Sequence, residues 1–273
     1  MLNTLKNKKF LPVLLTHIFG TLDDNIVKNI FVFLTAYQLT RGSVFWLAAA
    51  FVLYGLAYLT SSVYAGSFAD RTAKSKMIQQ LKLAEVIVMG FTLVSLYWQS
   101  RVLMLLSLTA FGFCMSATRV VKYALVPEVV NEKSLLSANA LLKGFTFVSV
   151  ILASLLLYGL HISTRPTVLA VMGFVLMVSS LLGYICALKI DPTQPKDKEV
   201  VLTKNPIPFL KQMTAVVEQT PALKFYIASI AWYWLLGGVV AFFATGFVEN
   251  VLFAKNSVMV FAMLIFSCGY VAG

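Results

Sequence analysis

Charge is scarce in this chain. Charged residues make up only 12% of its 273 positions, and 11 acidic residues stand against 22 lysines and arginines. With 59% hydrophobic residues and a mean hydropathy of +0.84, too few polar side chains remain to cover a water-soluble surface. A soluble globular domain is thereby excluded, and an all-α integral membrane protein is implied. Cysteine is nearly absent too. Cys114, Cys186 and Cys268 each lie in an apolar run, far from one another, so neither a disulfide framework nor a zinc site is expected, and all three read as buried structural thiols. No metal or cofactor is expected. Of the two histidines, His161 falls in an outer loop, and His17 precedes Asp23 by five intervening residues within an apolar helix. An acyltransferase pairing of histidine and carboxylate needs four, in a loop, so no catalytic residue is expected and the chain reads as no enzyme. No small-residue cleavage site follows the first apolar run, which therefore reads as a retained span.

Windows long enough to cross about 30 Å of hydrocarbon number eight: Phe10 to Leu39, Val44 to Phe68, Met77 to Trp98, Val102 to Val121, Leu141 to Leu160, Thr167 to Leu188, Phe225 to Phe247 and Ser257 to Gly273. The first is long enough to tilt, or to break near Gly20 and Thr21. The formal net charge of +11 would suggest nucleic acid in a soluble protein. Here the cations fall in short loops, where they act as orientation signals. With the N-terminus cytoplasmic, fifteen lysines and arginines lie inside and only Arg41, Arg101, Arg165 and Lys255 outside. Lys28, Lys82 and Lys143 belong to the spans. Nucleic acid is excluded as a partner, and tight outer loops such as Thr40 to Ser43 and Gln99 to Arg101 connect the helices.

The one long polar connection, Lys189 to Lys224, begins as a solvated linker with Pro192, Pro195 and several charges. After Pro208, Phe209, Leu210, Met213, Val216 and Val217 recur at helical spacing, which predicts an amphipathic helix on the cytoplasmic bilayer face. The expected organisation is a six-helix bundle (1–188), a cytoplasmic linker with its amphipathic helix (189–224) and the start of a second bundle (225–273). Six spans, a linker and further spans is the plan of a two-bundle transporter whose site lies between the bundles near the midplane. The chain reads as the first part of a twelve-span protein, with the second bundle represented by its first two helices.

Inside the first apolar run stand Asp23, Asp24 and Lys28, each costing about 2.5–3.5 kcal/mol at a membrane helix centre. Asp24 and Lys28 are four apart, as are Asn25 and Asn29, so these four polar groups share one stripe that must face protein or water. They are the expected translocation surface, with Asp23 one position round the helix serving packing or proton coupling. Lys82 and Glu85 form an expected local ion pair, with Glu85 deep enough to meet the first-span patch, as a packing element or in transport. Tyr97, Trp98, Tyr158, Trp232, Tyr233 and Trp234 read as interface anchors or packing.

The loop GSFADRTAKSK carries Gly66, Asp70 and Arg71 in a G-x-x-x-D-R arrangement that is similar to the signature loop of the major facilitator superfamily, although Thr72, Ala73 and Lys74 follow where that family has glycine, arginine and lysine. HIFGTLDDNIVKN, ADRTAKSKMIQQLKLAE, TRVVKYALVPEVVNEKSLLSANALLKGFT and AWYWLLGGVVAFF further resemble the bacterial lysophospholipid transporter family, including its form fused to an acyltransferase and an acyl-carrier-protein synthetase. The resemblance places the family's Asp-Asn pair on Asp24 and Asn25, its Lys-Tyr element on Val121, Lys122 and Tyr123, and its fifth-helix start on Asn139, Ala140 and Leu141. It departs at Lys143, where the family commonly has glutamate, and at Val239, Val240 and Ala241, where some members have a cation; Lys143 or Lys28 would have to supply it.

What the resemblance implies is a bacterial inner-membrane transporter of the major facilitator type, moving a lysophospholipid by alternating access. Gly66, Asp70, Arg71, Arg119 and Lys122 would form the gating loop, with Arg119 and Lys122 as rim charges partnering Asp70 rather than touching ligand. Membrane lipids, a lipid or other amphipathic substrate and an acyltransferase partner or fusion are the expected partners. Alternatives are a proton-coupled transporter of a drug, sugar or metabolite on the same fold, or the membrane part of a bifunctional acyltransferase or a degenerate fragment.

Overall fold

A computed structural model describes residues 2–5, 7–37, 44–69, 72–159, 165–194, 207–250, 258 and 265. Among them the regular structure is helical, with no strand: α1 (Leu2–Leu5), α2 (Phe10–Tyr37), α3 (Val44–Ala69), α4 (Lys74–Trp98), α5 (Arg101–Val129), α6 (Glu132–Gly159), α7 (Pro166–Leu188), α8 (Ile207–Gln219) and α9 (Pro221–Asn250). Asp70, Arg71 and Cys268 lie outside the described residues, as does nearly all of the expected eighth span.

Each apolar run becomes a helix because its backbone polar groups can be satisfied only within the segment once water is removed. α2 is unbroken through Gly20 and Thr21; its 28 residues extend over about 42 Å at 1.5 Å per residue. Sequence windows end α5 at Val121, yet the helix continues to Val129 through Pro127. α4 closes at Gln99, the described non-glycine residue with positive φ (52°), where the amides of Gln99 and Ser100 return to the carbonyls of Leu96 and Ser95. The expected tight turn to α5 follows.

The chain divides into two compact units, Met1–Leu202 and Thr203–Gly273. In the first, α2 packs on α6 and α7, α4 on α5 and α7, and α3 on α5. Small residues let these helices approach closely. A Cβ on Gly173 of α7 would lie 2.9 Å from the Leu93 Cα of α4, and one on Gly112 of α5 would lie 2.8 Å from Tyr54 Cδ2 of α3. Hydroxyls bridge α3 and α5, where Ser61 Oγ donates to the Phe113 carbonyl and Ser116 Oγ to that of Tyr58, both at 2.6 Å. At one end Lys74 Nζ meets Glu128 Oε1 at 2.8 Å, and Ser75 and Thr193 exchange backbone-to-hydroxyl bonds of 3.1 and 3.0 Å. Among the described residues nothing lies within 4 Å of a Cβ built on Gly66.

The unit's interior has two apolar layers. One gathers Ile26 to Leu34 of α2 with Met89, Leu96, Met104, Phe111, Leu157 and Leu176; the other gathers Phe10 to Leu14 with Ile78, Val121, Leu125, Leu142 and Ala187. Between them α2 contributes His17, Thr21, Asp23 and Asp24, α4 Lys82 and Glu85, α5 Ser116 and Thr118, α6 Ser149, and α7 Ser179 and Ser180, all buried. The outside is apolar instead: Leu59 is 64% exposed, Ile87 67% and Phe174 62%. Carboxylates inside and large aliphatic side chains outside invert the soluble arrangement. Among the described residues five helices are long and apolar enough to cross a membrane, those of α3 to α7. The protein is a multi-pass helical membrane protein.

In the second unit α8 has an amphipathic sequence, as its spacing predicts, and is followed by the 30-residue α9.

Candidate functional site

Asp24 is the centre of the polar belt. Its helix supplies Lys28 one turn on, whose Nζ lies 2.8 Å from Oδ1 and 2.9 Å from Oδ2. α3 supplies Tyr54, whose hydroxyl donates to Oδ1 at 2.9 Å. α5 supplies Arg119, whose Nη2 donates to Oδ2 at 3.2 Å. Two cations and a phenol thus hold one buried carboxylate, which offsets the cost of placing it among apolar helices. Aromatic faces support both cations: Lys28 Nζ stands 4.8 Å from the Tyr54 ring centroid and the Arg119 guanidinium 5.7 Å from that of Tyr58. Tyr54 reaches Asp24 because Gly112 leaves room for its ring.

The rest of the predicted stripe is only partly assembled. Asn25 Nδ2 donates to the Thr21 carbonyl of its own helix at 2.7 Å, an i−4 bond that replaces the expected pairing with Asn29 or Lys28. Asn29 is half-buried beside it on the helix. Lys143 is exposed on α6 and does not join Asp24.

Arg119 and Lys122 have partners that the rim expectation does not name, while Asp70, the expected one, lies outside the described residues. Arg119 bonds Asp24, and Lys122 Nζ lies 2.8 Å from Nδ1 of His17. An ammonium can only donate, so Nδ1 accepts and the ring proton sits on Nε2, which faces the Leu142 carbonyl at 2.8 Å and Thr146 Oγ1 at 3.0 Å. His17, set aside as a catalytic base, therefore links α2, α5 and α6. Two of the fifteen cations that the loop count assigns to the inner side belong instead to the bundle interior. Arg119 already lies within the Val102 to Val121 window, and Lys122 falls inside α5 once that helix is carried past Val121.

Lys82 and Glu85 form the expected pair at 2.8 Å, with exposures of 1% and 0%. Lys82 crosses from α4 to α2, where a Cβ on Gly20 would meet its Nζ at 2.5 Å. Thr16, His17, Gly20, Thr21, Thr118, Arg119, Lys122 and Lys82 share an open recess with the apolar side chains of Val13, Ile78, Met115 and Ile190. Sequence reasoning alone does not reach Tyr54, Tyr58 or Thr146. Their only signal is a tyrosine pair four apart in α3 and a threonine one turn from Leu142 in α6.

No group of three or more metal-ligating side chains occurs among the described residues. The sequence matches no protein-family model and no curated protein.

Proposed function

We propose that this chain is a membrane transporter of the major facilitator type that carries a lysophospholipid across the bacterial inner membrane by alternating access. The observation that supports this reading is the recess beside Asp24. Its polar wall presents Lys122, whose ammonium is bonded to an imidazole and not to a carboxylate, next to Arg119, while Val13, Ile78, Met115 and Ile190 form its apolar wall. Cations beside an apolar surface suit an amphipathic anion, a phosphate-bearing headgroup with one acyl chain. The hydroxyls of Thr16, Thr21 and Thr118 donate to carbonyls of their own helices, which leaves a sugar few free donors there, so the lipid reading is favoured over a sugar cargo. Asp24 would keep Arg119 and Lys28 in place while the cargo's phosphate meets the cations.

The test is translocation of a fluorescent lysophosphatidylethanolamine by the purified protein in proteoliposomes. Wild type should move the lipid. Asp24→Ala and Lys122→Met should each lower the rate about tenfold or more, the equivalent of one lost hydrogen bond to a charged group. No movement by wild type, or undiminished movement by both variants, would reject the proposal.

A further inference from the structure

Asp23 follows a different logic from its neighbour. One residue along α2 is a rotation of about 100°, and this turns it away from Tyr54 and Arg119. It is fully buried, and neither carboxylate oxygen has a hydrogen-bond partner; the hydroxyls of Ser179 and Ser180 on α7 are also buried and unpartnered. The groups acting on Asp23 are Glu85 and Lys82 from α4 and Ser179 from α7. Lys82 commits both of its short contacts to Glu85, at 2.9 and 2.8 Å. On α5 the Cys114 thiol lies near that pair, Arg119 is bonded to Asp24, and Lys122 to His17. From α6, Ser149 is taken up by Thr21 at 3.0 Å.

Two fully buried carboxylates and one ammonium leave a negative charge without a counter-ion in an apolar bundle, an arrangement that persists only if something neutralises it. We infer that Asp23 binds a proton, and that a neutral Asp23, Glu85 and Lys82 triad forms a proton site sealed between α2, α4 and α7. As an acid, Asp23 gains the donor it lacks, directed at Glu85 or Ser179, and the proton comes from and returns to water. A metal cation fits less well, because the Lys82 ammonium already occupies the space against Gly20 and lies 3.8 Å from a Cβ built on Gly183. Asp23 itself has no exposed surface, and Lys82 of the same triad lines the open recess, which is the side from which the proton would arrive. The inference is independent of the cargo carried.

Infrared spectroscopy of the full chain in lipid nanodiscs tests it. At neutral pH the wild type should show the carbonyl stretch of a protonated carboxylic acid, lost in Asp23→Asn and kept in Asp24→Asn. Asp23→Asn, a neutral isostere of the acid, should melt within a few degrees of wild type. Raising the pH should abolish the band and lower the wild-type melting temperature together. Absence of the band in wild type overturns the proposal without any variant, and so does its persistence in Asp23→Asn. A wild-type melting temperature that rises when sodium replaces choline also overturns it, in favour of a metal ion.

Discussion

Tyr54 reaches across a helix crossing to Asp24, whereas Lys82 holds Glu85 of its own helix, and the consequences of removing them differ. Tyr54→Phe deletes one donor to Asp24 and leaves Lys28 and Arg119 in place, so stability should fall by about 1.5–3 kcal/mol, the worth of a hydrogen bond to a charged group. Lys82→Met strands Glu85, which is 0% exposed, and should cost about 3–5 kcal/mol, whereas Lys82→Met with Glu85→Leu should recover most of that loss. Denaturant titration of the purified variants measures both. A double variant no more stable than Lys82→Met would show that the pair is not the unit. At this scale the sequence was readable only along a helix. The Asp24 to Lys28 and Lys82 to Glu85 contacts follow from spacings of four and three. Tyr54 and Arg119 on Asp24, and Lys122 on His17, join residues 30, 95 and 105 positions apart; they depend on how each helix is rotated about its axis, which no local spacing encodes.

The helices themselves were largely legible, because long apolar runs leave the backbone no alternative. The exception is instructive: α5 runs on to Val129 with Lys122 partnered inside the bundle, whereas the apolar window ends at Val121 and leaves Lys122 to the following loop. Close crossings were not legible either, since glycines look alike in sequence. Gly173 and Gly90 separate the two cases. A methyl at Gly173 would press on Leu93, with its Cδ1 at 2.6 Å and its Cα at 2.9 Å, while a methyl at Gly90 would meet nothing within 4 Å. Gly173→Ala should therefore lower the melting temperature by several degrees as α4 and α7 are forced apart. Gly90→Ala should be neutral or stabilising by up to about 1 kcal/mol through helix propensity alone. Thermal unfolding in detergent distinguishes them, and equal effects would refute the close α4 to α7 crossing.

The whole first unit is a bundle with apolar flanks and a charged interior, and the cations at its ends carry the expectation of a cytoplasmic N-terminus. Single cysteines in a cysteine-free background check this. Lys76→Cys, exposed in the first turn of α4, should react with a membrane-impermeant thiol reagent only from the cytoplasmic side, and Arg165→Cys, exposed before α7, only from the opposite side. Labelling of both from one side would invert or refute the expected topology.

The polar belt between the two apolar layers also sets how α2 can move. Sliding that helix along its axis by one turn, about 5.4 Å, would carry Asp23 and Asp24 into a layer of Ile, Leu, Met and Phe side chains and bring Val27 or Phe19 opposite Lys82 and Arg119. The register of α2 is thus locked lengthwise, as a key is by its teeth. Tilting and swinging in the membrane plane leave the belt at its depth, so these are the motions open to the helix, and piston displacement is not.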